Sequence, residues 1–448
     1  MGTKLVVSLC LLAPACFAGR QVDVEPLIRP VAPGERPSST AELAADDAGL
    51  AAEARLEPML RLALARNPDL SESAERVRAR AAAVPAAGRL PDLELKYEQW
   101  GVPLARPWAL DRADTLMLGL RQTFPAPGSL AAESRAAEED ARVEAARLAA
   151  RRLDIPREVR RAYYEYVRAR QERRIHLEHV DITRRLIELT RAGFRAGKGT
   201  EADVLRLGVE LARLHQDLAE VTRREQSSAA MLNALMARPA DAPLGPPAEL
   251  TVPEAPPGLA DVEKAADASR PEISAAEHGL RRGEAELDAA ERTAAWPSFT
   301  VGVDYWLLPT ADDKHAYGAM LMINLPWLNP AHRERVRARE HEVAAERWAI
   351  AAARNAVRFD VRDAYARYVA ARETLRLIDD DLLPQATRSF EAAQSTYATG
   401  RVDALAVVDA LRSLLEVRLD RARSLVDLAA SAADVERAAG MTEKGSGR

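Results

Sequence analysis

Residues 298–326 read SFTVGVDYWLLPTADDKHAYGAMLMINLP. Phe299, Val301, Val303, Tyr305 and Leu307 alternate with Thr300, Gly302 and Asp304. Period two over nine residues predicts a strand with two different surroundings. A partner strand follows through Tyr317, Ala319, Leu321, Ile323 and Leu325, after the polar loop Pro309–His315. The stretch is a β-hairpin of strands about ten residues long, the length a tilted strand needs to cross a bilayer.

Working outward, the rest of the chain contains this plan twice. Asn67-Pro68-Asp69-Leu70 answers to Arg270-Pro271-Glu272-Ile273, and Leu90-Pro91-Asp92-Leu93 to Trp296-Pro297-Ser298-Phe299. Phe124-Pro125 matches Leu325-Pro326, Val159–Tyr163 matches Val361–Tyr365, and Glu188–Gly197 matches Glu391–Gly400. The offsets are 203, 206, 201, 202 and 203 residues, so one duplicated unit accounts for all five matches. Between the halves, residues 238 to 258 hold seven prolines with Gly245 and Gly258, a composition that neither a helix nor a central strand tolerates. In the first half the hairpin is expected at about 92–124. There Leu93, Leu95 and Tyr97 alternate with charged residues, a phase slip near Gln99-Trp100-Gly101 reads as a bulge, and Leu116, Leu118, Leu120 and Phe124 form the return strand.

The remainder is helical. Val336, Val343, Ile350, Val357, Ala364, Ala371 and Ile378 form a strict heptad, with Val361, Tyr368 and Leu375 as a second seam. Such spacing predicts side-by-side helices with a left-handed supercoil. Leu207, Leu211, Leu214, Leu218 and Val221 repeat the pattern, as do Val408, Leu411 and Leu415. Taken as one helix, His332–Thr396 would extend about 100 Å, and Pro384 and its counterpart Pro156 are expected to kink their helices.

The chain of 448 residues is 48% hydrophobic and 29% charged, which excludes wholesale disorder, and 63 Lys+Arg against 68 Asp+Glu leave no basic excess for a nucleic acid. Residues 1–18 have the layout of a secretory signal peptide: Lys4, an apolar core, then small residues. Both cysteines, Cys10 and Cys16, lie within it, so no disulfide, thiolate metal site or cysteine nucleophile is available downstream. Cys16 follows Ala13-Pro14-Ala15 and reads either as a lipid-attachment site or as an ordinary signal-peptide cysteine. No later apolar run approaches the roughly 20 residues of a membrane-spanning helix.

A soluble sheet on a helical protein would show the same alternation. Strand length, export and the grouping of Trp100, Trp108, Trp306 and Trp327 at strand ends favour the bilayer instead. Four strands cannot close a barrel, and open edges do not survive in lipid, so two, three or four copies are required to give eight, twelve or sixteen strands.

Enzyme chemistry is missing. His176 and His179 stand i, i+3 on a helix without a third metal ligand and read as part of an exposed charged face. Gly197-Lys198-Gly199-Thr200 lacks the first glycine and the strand of a phosphate loop and reads as a turn between helices. No cofactor or metal is called for.

The order of helix, hairpin, long helical hairpin and linker, then the same again, resembles the TolC-like outer-membrane channel family over about residues 51–438. The local motifs are Leu64–Leu70 (LARNPDL), Gln122–Gly128 (QTFPAPG), Tyr397–Gly400 (YATG), and Gly197 with Asp203-Val204-Leu205. Leu90-Pro91-Asp92 and Asn324–Trp327 are similar to the branch that serves heavy-metal efflux. The resemblance implies a mainly α fold with a small β part: a homotrimer with a trimeric α-barrel and a shared 12-stranded transmembrane β-barrel in outer-membrane lipid. It further implies a passive exit duct whose partners are a periplasmic adaptor protein and an inner-membrane pump. Gly197 and Gly400, at the helix-hairpin turns, are the candidate adaptor contacts, and Asp203 and Asp409 the candidate pore or gate residues. The family carries an acidic residue where this chain has Ala406, which leaves a double acidic ring incomplete.

The expected organisation is a signal peptide (1–18), an extended segment (19–50), a first repeat (51–237), a Pro-rich linker (238–260), a second repeat (261–438) and a tail (439–448). The rival reading is a soluble periplasmic coiled-coil adaptor or scaffold without a pore.

Overall fold

The computed structural model describes residues 21–28, 39–102, 104–196, 200–248, 250, 252–309, 311–399, 401–402 and 404–440. The signal segment, Cys16, Gly197 and Gly400 lie outside the described residues. In chain order the elements are α1 (Glu25–Ile28), α2 (Thr40–Gly49), α3 (Leu56–Arg66), α4 (Pro68–Ala87), β1 (Glu94–Trp100), β2 (Thr115–Phe124), α5 (Ser129–Arg195) and α6 (Glu201–Leu235). The second half follows with α7 (Leu259–Ser269), α8 (Pro271–Ala295), β3 (Ser298–Leu307), β4 (His315–Asn324), α9 (Ala331–Leu377), α10 (Leu383–Ala398) and α11 (Ala404–Ala438). Residues 40–49, expected to be extended, are helical, started by a capping box in which Ser39 and Glu42 each bond the other's backbone N–H.

The chain divides into two compact units. One, built mainly from Ser73–Leu148 and Glu272–Ala353, contains the sheet. Its strands run in the order β1-β2-β3-β4, all neighbours antiparallel. The two hairpins of the duplication therefore join through β2 and β3, in register from Leu116↔Leu307 to Phe124↔Phe299. The Thr123 and Thr300 hydroxyls share a 2.9 Å hydrogen bond across that junction. No bulge interrupts β1, whose pairing runs unbroken from Glu94↔Arg121 to Trp100↔Thr115. The apparent phase slip is the strand's end, where Gly101 turns the backbone at φ 71°. In the same unit α8 is fastened by ion pairs: Glu139 accepts from Arg281 at 3.1 Å and lies 2.6 Å from His278, while Arg282 donates to Asp140 at 3.0 Å.

The other unit comprises Pro30–Glu72, Ala149–Pro271 and Arg354–Arg448 and is helical. The predicted seams are its buried faces: Val357, Val361, Ala364, Tyr368, Leu375 and Ile378 on one side of the duplication, Leu207, Leu214 and Val221 on the other. Helices α5 and α11 run antiparallel, tied by Arg437–Asp154 at 2.7 Å, Arg157–Asp434 at 2.6 Å, Arg423–Glu172 at 3.1 Å and Arg418–Glu178 at 3.5 Å. Each pair's residue numbers sum to nearly the same value, as a fixed antiparallel register demands.

The repeated X-Pro motif is a clasp. Asn67 is buried; its Nδ2 donates to the Leu235 carbonyl at the end of α6 (3.0 Å), and its Oδ1 accepts from Asp69 N (2.9 Å) at the start of α4. Its counterpart Arg270 donates to the Ala438 carbonyl at the end of α11 (3.1 Å). Each half thus ties the start of its hairpin-bearing segment to the carbonyl that closes its last helix, satisfying a terminal acceptor that the helix leaves free.

The described residues of the Pro-rich stretch 238–258 form no helix or strand beyond one isolated bridge, Ala54↔Pro247. It is seated by Gly245 N donating to the Leu50 carbonyl (2.8 Å) and by the Tyr166 hydroxyl donating to the Gly245 carbonyl (2.9 Å). Pro156 sits inside α5 without interrupting it. Pro384 stands just after a π-helical turn, Ile378–Leu382, that divides α9 from α10. The repeat offset grows from 202 at Val159/Val361 to 203 at Glu188/Glu391, so the second half holds one residue more over that interval. An i→i+5 turn absorbs one extra residue without ending a helix, and it falls within the interval.

Candidate functional site

The sheet has one apolar face and one polar face, and their exposure is inverted relative to a soluble protein. Across the register Leu95↔Leu120↔Val303↔Ala319 and Tyr97↔Leu118↔Tyr305↔Tyr317 share one face. Among the described residues no layer covers these side chains: Val301 is 47%, Val303 60%, Leu321 63% and Ile323 47% exposed. The opposite face carries Lys96 paired with Glu98, and Arg121 paired with Asp304 at 4.0 Å. Asp304 is only 6% exposed, and Gly119 and Gly302 beside it are buried. A soluble sheet buries its apolar face. A strand cylinder in lipid does the reverse, with apolar side chains outward and polar ones toward the lumen. Both outer strands, β1 and β4, pair on one side only. Among the described residues no helix is long and apolar enough to cross a membrane.

At the turn-proximal ends of α5, α6, α10 and α11, Leu186, Ile187, Leu207, Ala386, Phe390, Val407, Val408, Leu411 and Leu414 form one core. The Thr190 and Tyr397 hydroxyls meet at 2.9 Å between α5 and α10, and Arg412 donates to Glu210 at 2.9 Å between α11 and α6. Residues 210 and 412 are themselves related by the duplication offset of 202.

Of the gate candidates, Asp203 is occupied locally. Its Oδ2 accepts from Thr200 N (3.2 Å) and Thr200 Oγ1 (2.7 Å), while Thr200 Oγ1 accepts from Asp203 N, a reciprocal cap that starts α6. Asp409 is exposed on α11, one turn before Arg412. Arg412 is raised above its ordinary range, chiefly by its hydrogen bond to Glu210, with Asp409 adding a through-space attraction.

His176 and His179 are not on an exposed face. His176 is 5% exposed and His179 0%, and neither ring nitrogen of His179 has a protein partner. Burial, helped by the nearby Arg418 and His176, pushes His179 down to about 4; burial lowers His176 as well. Glu172, one turn earlier, is buried between Arg224 (3.0 Å) and Arg423 (3.1 Å). Glu172, His176, His179 and Thr183 thus form a polar layer along α5. Their 4, 3, 4 spacing was the available signal. No group of three or more His, Cys, Asp or Glu among the described residues is placed to hold a metal.

A family model described as outer membrane efflux protein matches residues 59–238 and 263–441, and the chain belongs to that family. The match falls on the two halves and leaves out most of the Pro-rich linker. The TolC-like resemblance read from the duplicated plan is borne out.

Solved structures share the fold at low identity. The outer-membrane channel OprN matches with TM-score 0.74 and 18% identity, covering 94% of this chain and 96% of that one. CusC, described in connection with transmembrane channel formation, matches at 0.74 and 18%, covering 87% and 93%. The Neisseria gonorrhoeae MtrE outer membrane channel in its open state matches at 0.71 and 20%, covering 86% and 89%. No curated protein matches the chain.

Proposed function

We propose that the protein is the outer-membrane channel of a tripartite efflux system. Copies of the chain donate four strands each, and three copies close a twelve-stranded cylinder that removes every free edge. The observation that carries this reading is the inverted sheet: exposed Val301, Val303, Leu321 and Ile323 on one face, Lys96, Glu98, Arg121 and Asp304 on the other. The helical part stands in the periplasm, where its hairpin turns, with Gly197 and Gly400, receive an adaptor joined to an inner-membrane pump. Asp409, exposed near such a turn, is the stronger gate candidate, because the Asp203 carboxylate already caps α6. The channel performs no chemistry, and energy comes from the pump. The strand-end motifs Leu90-Pro91-Asp92 and Asn324–Trp327 support metal cations as cargo.

The test is conductance. Purified protein added to planar bilayers is expected to give stepwise, long-lived openings, and to migrate as an oligomer on unheated gels. Release by osmotic shock as a monomer without conductance would instead establish the pore-free periplasmic scaffold.

A further inference from the structure

Three glycines on the polar face of the sheet are each covered by a side chain from an adjacent strand. A Cβ on Gly119 would run into Asp304 Oδ1. One on Gly302 would lie 3.2 Å from both Arg121 Cγ and Met320 Cε, and one on Gly318 would run into the Trp306 ring. The register explains the geometry. Asp304 faces Gly119 on one side and Gly318 on the other, and Arg121 faces Gly302, so each long side chain has an empty site beside it. Asp304 leans over Gly119, the Arg121 stem crosses Gly302, and the Trp306 indole folds diagonally over Gly318. Glycine is costly inside a strand because it packs nothing and loses more entropy on ordering. Three on one face, each occupied by a neighbour, mark close approach.

We propose that Gly119, Gly302 and Gly318 set the bore of the strand cylinder by holding Asp304, Arg121 and Trp306 flat against its wall, which leaves that part wide enough for hydrated solutes, metal cations among them. This rests on the channel reading above. A closed cylinder of twelve strands about 4.8 Å apart and tilted about 40° has a backbone radius of about 12 Å. Flat side chains leave about 8 Å of open radius, an area of about 200 Å², whereas an upright indole in each of three copies, about 6 Å wide and protruding about 3 Å, blocks about a quarter of it. Charge follows the same economy of space. Arg121 is paired with Asp304 and Lys96 with Glu98 along the wall, so no uncompensated ring of one sign arises from these four residues.

The decisive measurement is single-channel conductance with exclusion of sized polyethylene glycols added only on the side of the strand cylinder, so that the polymer cutoff reads that part and not the gate in series with it, on detergent-purified oligomers in planar bilayers. Gly318→Leu is expected to lower conductance by up to about a quarter and shrink the polymer cutoff, and Trp306→Ala in that background to restore both. Trp306→Ala alone, which removes a ring already lying flat, is expected to leave conductance within about a tenth of the native value. A rise of about a quarter or more on Trp306→Ala alone would overturn the proposal, as would a Gly318→Leu oligomer with native polymer cutoff. Should Gly318→Leu fail to assemble, the Trp306→Ala result decides alone. Absence of conductance in the native protein would refute the channel reading itself; native conductance with an upright Trp306 refutes only the bore assignment.

Discussion

Replacing His179 by leucine tests the polar layer of α5 through its response to acid. In the folded chain His179 is fully buried, neither ring nitrogen has a protein partner, and its pKa is held at about 4. The same ring titrates near 6.5 in an unfolded chain. Between those values the unfolded or locally opened state binds the extra proton, so stability falls as pH drops from 6.5 toward 4 and is unaffected by this group above that window. Two and a half pH units at 1.36 kcal/mol each amount to about 3 kcal/mol of acid-sensitive stability. The charged and titratable groups around the layer are Glu172, Glu178 and His176 on α5, Asp217 and Arg224 on α6, and Arg418 and Arg423 on α11. The paired arginines resist a new positive charge, so the layer loosens when His179 is protonated.

Leucine has no proton to take up and relieves two desolvated nitrogens, a gain of about 1–2 kcal/mol at neutral pH. Amide exchange over residues 172–183, corrected for the intrinsic pH dependence, is the assay. The protection of His179→Leu relative to native protein is expected to grow about tenfold per pH unit between 6.5 and 4. Parallel profiles for the two proteins, or a ring that titrates near 6.5 by NMR in the folded oligomer, would refute the reasoning.

Three further outcomes are expected. Gly245→Ala places a Cβ 2.5 Å from the Ala52 backbone carbonyl and should destabilise by about 1–3 kcal/mol, whereas Gly258→Ala, whose nearest neighbouring atom is 3.6 Å away, should melt at the native temperature. Asn67→Ala removes both the Leu235 clasp and the Asp69 cap, for a loss of about 2 kcal/mol in a denaturant series. On the apolar face of the sheet, Val303→Arg should cost about 2–4 kcal/mol in lipid and sharply reduce outer-membrane yield by fractionation, while Met322→Arg, which faces Thr300 on the polar side of the sheet, keeps the yield.

Much of this protein was legible because the signals are local and periodic. The alternation at 299–307 fixed which residues share a face, the heptad from Val336 to Ile378 fixed the buried side of a helix, and two matching halves fixed the plan. One misreading came from the same source: the phase slip at Gln99–Gly101 looked like a bulge because a strand that stops and a strand that bends give the same local pattern. The histidines were misread for a different reason. A polar residue at i, i+3 is indistinguishable from a surface one until the facing helices are known, and α6 and α11 arrive from residues far along the chain.

The sequence by itself determined the duplication, the strands and the seams, since the motifs behind each are local patterns within a few turns of the chain. Only the tertiary structure decided that β2 pairs with β3, that the apolar face of the sheet is left open while the polar face is filled, that Asn67 and Arg270 close equivalent clasps, and that His179 is buried. Those facts depend on contacts between segments separated by well over a hundred residues in most cases, and no local pattern encodes which distant surface will meet a given face.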